Sequence, residues 1–201
     1  MAITRERFEQ GMTIEGYLAQ MTQNQAAFAE NIAKTTLRPE DVAFFQSLPK
    51  PVNTLVLTED WCGDALANVP ALAKVASETG KLNLRLFLRD QNLDLADQYL
   101  KEGKYRSVPV FVFFDQEMRE LGHFIERPAR ATAEMAAVAE TLAAEHPEFP
   151  DIGGSFDGMS DAAKKLRFQA LGALRRERGA AWSEMLLDDI EALLASAPTA
   201  R

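Results

Sequence analysis

Apolar side chains recur at helical spacing near the start of the chain, at Ile14, Leu18, Met21, Phe28 and Ile32. This predicts one amphipathic helix over 13–35, with Thr13 as its N-cap. The stretch LRPEDVAFFQSLP (37–49) predicts a second helix. Pro39 suits its first turn, Glu40 and Asp41 complement the dipole there, and Val42 and Phe45 mark the buried stripe. VNTLVLT (52–58) has the β-branched, apolar character of a short strand. From Cys62 to Thr79 the spacing returns to helical, with Leu66, Val69, Leu72, Ala73 and Ala76 on one face and Gly80 as the stop. KLNLRLFLRD (81–90) alternates as a strand does, placing Leu82, Leu84, Leu86 and Leu88 on one face.

A helix is predicted over 93–102, and VPVFVFF (108–114) reads as a buried strand. RELGHFI (119–125) reads as its hairpin partner across DQEM, and 129–145 as another helix. This order describes an α/β domain with a mixed sheet and helices on both faces. A Pro/Gly/Asp-rich linker (146–161) leads to a helical tail, predicted to break near Gly179. In the tail Trp182, Met185, Leu186, Ile190, Leu193 and Leu194 form a stripe that must dock on the main domain or on a second copy, as a homodimer. The expected organisation is an N-terminal helical extension (1–48) packed on a core (49–146), then linker and tail (147–201).

Composition narrows the class. A chain of 201 residues with 47% hydrophobic content can bury a full core without disulfides. A net charge of −8 disfavours a whole-surface nucleic-acid binder. The basic run KKLRFQALGALRRERG (164–179) reads as a solvated helix face. The N-terminal segment lacks the apolar core of a signal peptide, and no apolar run approaches the roughly 20 residues that span a bilayer. The expectation is a soluble, cytoplasmic protein without nucleic-acid or membrane partners. His123 and His146 lack spaced partners, so neither a metal site nor a cofactor is called for.

The one cysteine, Cys62, lies in TEDWCGDA (58–65). It cannot form an internal disulfide, which fits a reducing compartment. Its place at a helix start exposes it to unpaired N–H groups, which favour the thiolate. Asp64 works the other way, with Glu59 and Asp60 adding to it, and Arg106 is the cation expected to approach. The balance predicts a thiol that ionises near the ordinary value of roughly 8.5.

Four features in order, over roughly 50–145, resemble the thioredoxin superfamily: a strand running into Trp61-Cys62 and a helix, Pro70 within that helix, the segment RSVPVF with Pro109, and Gly122 in the last strand. The added helices at both ends are similar to those of a bacterial thioredoxin-like subgroup. The resemblance implies a thioredoxin-like mixed sheet flanked by helices, Cys62 as the catalytic thiol, and a cis Val108-Pro109 bond opposite it. Trp61, Gly63, Asp64, Val108 and Pro109 are then the substrate-binding residues. The chain departs from the family pattern in three places: Ala65 stands where the resolving cysteine belongs, Val56 where a buried acid belongs, and Asp64 where the usual proline belongs.

With one sulfur, release of a mixed disulfide needs an external thiol. The expected function is monothiol thiol–disulfide exchange or redox sensing, with a protein or low-molecular-weight thiol or disulfide as partner. The alternative is a non-catalytic adaptor that binds a protein through the groove near Cys62 and Pro109. A further alternative is that Ala65 replaces a natural cysteine, which would make the site an ordinary dithiol.

Overall fold

The computed structural model describes residues 3–197. Four short helices come first: α1 (Arg5–Glu9), α2 (Ile14–Gln20), α3 (Gln25–Lys34) and α4 (Pro39–Ser47). They are followed by β1 (Val52–Thr58), α5 (Gly63–Thr79), β2 (Leu82–Leu88), α6 (Leu93–Ala96), β3 (Val110–Phe114) and β4 (Glu120–Ile125). Helices α7 (Ala129–Glu145) and α8 (Asp161–Ser196) complete the chain.

The strand order is β2-β1-β3-β4. β1 pairs parallel with β2 and antiparallel with β3, and β3 pairs antiparallel with β4. This is a mixed sheet flanked by helices, as the sequence predicts. Every residue of β1 is buried, in keeping with its uninterrupted apolar and β-branched character. Its one amide side chain, Asn53, donates to the Asp115 carbonyl and accepts from Asn83, so burial leaves it paired. The outer edge of β2 is partly covered by Met12, which exchanges both backbone hydrogen bonds with Leu86.

Contacts divide the chain into two compact units. One is the chain up to Arg127 together with the stretch from Ser183 onward; the other is Pro128–Trp182. In the first unit, Leu186, Leu187, Ile190 and Leu194 at the end of α8 belong to the same core cluster as the sheet. The tail stripe from Leu186 onward therefore packs on this chain's own main core, whereas Trp182 belongs to the second unit. In the second unit Leu142, Ile152, Met159 and Ala163 form a separate small core. Glu134 there receives both Arg178 (2.9 Å) and the Trp182 indole N–H (2.8 Å), which hold its carboxyl down at about 2. Two cations of the basic run thus serve structure. Arg178 binds Glu134, and Arg167 donates to the carbonyls of Ile152 and Gly154 while lying over the Phe156 ring.

Three predicted helices differ in detail. The 13–35 helix is two helices, because Met21 turns extended and Asn24 adopts a left-handed conformation with φ 56°. The 93–102 helix stops at Ala96, and the following turn is closed by backbone bonds between Lys101 and Tyr105. The tail does not break at Gly179. α8 runs unbroken for 36 residues, since a mid-helix glycine costs only about 1 kcal/mol.

Candidate functional site

β1 ends at Thr58, and the chain crosses Glu59, Asp60 and Trp61 before Cys62 caps α5 in an extended conformation. The Cys62 carbonyl accepts the first helical bond, from Leu66 N–H. Cys62 is 8% exposed, and its S–H donates to the Val108 carbonyl at 3.3 Å. The Val108-Pro109 bond is cis. Pro109 in turn accepts at its carbonyl from Glu126 N–H at 2.7 Å. The start of α5 and the segment before β3 thereby meet at the sulfur, and the turn after β4 is tied to that segment.

The predicted residues separate into two groups. Cys62, Gly63, Val108 and Pro109 converge at this point, with Gly63 as the first residue of α5. Trp61 turns outward, 46% exposed, with the Arg89 guanidinium 5.4 Å from its ring centroid. Asp64 turns inward and is buried. Its carboxylate pairs with Arg127, just beyond β4, a residue that sequence reasoning passed over. Arg106, the cation expected beside Cys62, instead pairs with Asp97 at 2.6 Å. A cleft of about 510 Å³ lined by Arg89, Leu93, Asp97, Tyr105 and Arg106 lies in this neighbourhood, but neither Cys62 nor Pro109 lines it.

The two acids before Trp61 have separate tasks. Glu59 is buried and accepts from Asp90 N–H at 2.8 Å; burial outweighs that bond and pushes its carboxyl above the usual range. Burial also opposes ionisation of Asp60, yet the backbone N–H groups of Thr22 and Gln23 and the Thr22 hydroxyl outweigh it and hold Asp60 low. The Asn24 side chain completes the clasp by donating to the Asp60 carbonyl at 2.8 Å. Tyr17, buried beneath the loop, meets Thr58 Oγ1 at 3.2 Å and is pushed up to about 12, mainly by burial. Val56 and Ala65, where the family pattern has an acid and a second sulfur, are both fully buried apolar positions.

The sequence model of the thioredoxin family matches residues 11–142. The chain belongs to the thioredoxin family. The matched segment takes in α2 to α4 as well as the sheet. No curated protein matches it. Among solved structures, an HIV epitope-scaffold is 19% identical, with 96% of this chain and 98% of that chain covered at a TM-score of 0.66. A protein of unknown function from Pseudomonas aeruginosa is likewise 19% identical, with 97% and 98% covered at a TM-score of 0.63. At such identities these neighbours speak for the fold alone. Among the described residues, no helix is long and apolar enough to cross a membrane.

Proposed function

We propose that this thioredoxin-family protein carries out monothiol exchange at Cys62, with a protein or low-molecular-weight disulfide as substrate in a reducing, cytoplasmic setting. The observation that carries the reading is the placement of Cys62 at the start of α5 with its sulfur against the Val108-Pro109 segment. A helix start offers unpaired N–H groups to a thiolate, and the adjoining extended backbone offers a surface for an extended substrate.

The exchange balances as follows. The Cys62 thiolate attacks one sulfur of the disulfide, and the other sulfur leaves as a thiolate that takes up a proton. An external thiol, deprotonated in turn, attacks the mixed disulfide, forms a new disulfide with the bound group and returns the Cys62 thiolate. One disulfide is exchanged for another, and the protein ends as it began. Ala65 makes the external thiol obligatory.

The test is alkylation of Cys62 as a function of pH, with mass spectrometry after exposure to oxidised glutathione. The expected result is reaction in the folded protein and a single glutathione adduct that a reductant removes. Reaction only on unfolding would overturn the reading.

A second reading has its own support. The Cys62 S–H already donates to Val108, and Trp61 is unusually exposed for its type. Both suit a non-catalytic adaptor that grips a protein partner beside Trp61. Cys62→Ser separates the two, because an adaptor retains its partner and an exchange protein loses its adduct.

A further inference from the structure

The sequence places three acids around Cys62 and no cation near them; the fold supplies one from far along the chain. Arg127 follows β4, and its backbone is fixed beside the cysteine site. Glu126 N–H binds the Pro109 carbonyl, Glu126 adopts φ 65°, and Arg127 N–H returns to the Ile125 carbonyl. From there the guanidinium reaches the buried Asp64 carboxylate, and its other end lies 3.2 Å from Glu126. Glu126 is shared with Lys101 at 2.6 Å, so it is not Arg127's alone to neutralise. Asn68, from the next turn of α5, ties the same loop by donating to the Glu126 carbonyl at 2.7 Å. The Arg127 Nε–H is buried with no hydrogen-bond partner among the described residues.

We propose that Arg127 is the positioning residue of the Cys62 site. Its guanidinium cancels the Asp64 carboxylate in the first turn of α5 and so removes the repulsion that would oppose a Cys62 thiolate. The inference rests on the exchange reading above and deepens it.

A carboxylate two residues from a thiol, both shielded from water, disfavours thiolate formation strongly unless a cation is paired with it. Arg is the side chain that holds such a place, because it stays charged and binds a carboxylate through a planar fork. Burial works to lower the Arg127 guanidinium, while Asp64 first, then Glu126 and the nearby Cys62, raise it above its ordinary value. The other cations nearby are engaged elsewhere, Lys101 with Glu126, Arg89 with Asp90 and Arg106 with Asp97, and the remaining titratable groups supply no positive charge. Asp60 is occupied by Thr22 and Gln23, Glu59 by Asp90 N–H, and Tyr17 stays neutral at physiological pH.

The experiment is the pH profile of Cys62 alkylation in Arg127→Gln, Arg127→Lys, Asp64→Asn and the Arg127→Gln/Asp64→Asn double variant, with circular dichroism to verify folding. Arg127→Gln is expected to move the profile to higher pH and to slow reaction near pH 7 by roughly threefold to tenfold. Arg127→Lys restores most of the rate, and Asp64→Asn moves the profile to lower pH. Where Arg127→Gln does not fold, the double variant compared with Asp64→Asn alone isolates the Arg127 charge, and the double variant is expected to react more slowly. A wild-type profile that the charge of Arg127 leaves unmoved overturns this inference and spares the exchange reading. A wild-type thiol that reacts only on unfolding overturns both.

Discussion

Thr22 gives both its backbone N–H and its hydroxyl to one oxygen of Asp60, at 2.8 and 3.1 Å. Thirty-eight residues separate the pair in sequence. The contact accounts for the break between α2 and α3, since 21–24 must leave helical geometry to aim successive N–H groups at one carboxylate. It also fixes the chain two residues before Cys62, so the N-terminal helices help to hold the cysteine loop.

Asp60→Ala removes the acceptor and leaves the Thr22 and Gln23 N–H groups seeking water. The expected loss is about 2 kcal/mol of stability, read as a lower urea midpoint. Asp60→Asn keeps an acceptor oxygen and loses less. The pH dependence has a definite sign. Because the folded carboxyl lies below its ordinary value of 3.8, this contribution is present above that value and is lost as pH falls through the folded one. Urea midpoints measured down an acid series check it, and Asp60→Asn flattens that part of the curve.

A second carboxyl carries the opposite sign. Arg38 grips the buried Asp41 and also reaches Asp188 on α8 at 2.7 Å. Glu191, one turn further along α8, faces this group, with Oε1 buried and without a hydrogen-bond partner among the described residues. Burial pushes Glu191 up to about 7, and Asp41 and Asp188 add to that effect against Arg38. Asp41 is held below its usual range despite burial, because Arg38 binds it through side chain and backbone. At Glu191 the folded state therefore binds more protons than the unfolded one between 4.5 and about 7, and this contribution to stability falls as pH rises through that window. Glu191→Gln fixes the neutral form. It is expected to leave the urea midpoint near pH 5 little changed and to raise it near pH 8. An unaltered pH slope in the variant would remove Glu191 as its source.

Close approach governs a third site. Gly122 in β4 has φ 154°, and a Cβ there would lie 2.8 Å from Leu193 Cδ2 and 3.0 Å from Leu193 Cγ. Gly122→Ala is expected to cost about 2 kcal/mol through overpacking and backbone strain. Adding Leu193→Ala removes the colliding atoms, so the double variant is expected to lose less than the two single losses together. Urea unfolding of the four proteins closes the cycle, and simple additivity would count against the collision.

Local patterns foretold the parts of the structure that local forces make. β1, β2, the β3–β4 hairpin, α5 and α7 follow from period-2 or period-3.6 spacing with a stop residue at hand. Cys62 and the cis Val108-Pro109 bond were legible only because several features of one family occur in order. What stayed hidden rests on contacts between residues far apart in the chain. Asn24 turns left-handed where the contacts to Asp60 require it, and Arg127 meets Asp64 across 63 residues. Arg106 was expected near Cys62 from proximity to Pro109, yet its loop offers Asp97 nine residues back. One signal for Arg127 was present: a buried helix start bearing Asp64 demands a cation, and Arg127 lies two residues past the last strand of the sheet.

Ala65 offers the sharpest change of chemistry. It is fully buried in the first turn of α5, three residues after the N-cap Cys62. The first turn of a helix brings such positions within the Cα separation of roughly 4.4–6.8 Å that a disulfide spans. Ala65→Cys therefore supplies a resolving thiol that attacks the mixed disulfide from within, and the external thiol ceases to be obligatory. The added sulfur must fit a packed site, at an expected cost of about 1 kcal/mol in the reduced form. After mild oxidation the variant should lose two hydrogens in mass, block alkylation of Cys62, and reject the stable glutathione adduct of the parent protein. Retention of that adduct in the folded variant would mean that the Ala65 position points away from Cys62, and that dithiol chemistry is excluded by geometry rather than by one missing sulfur.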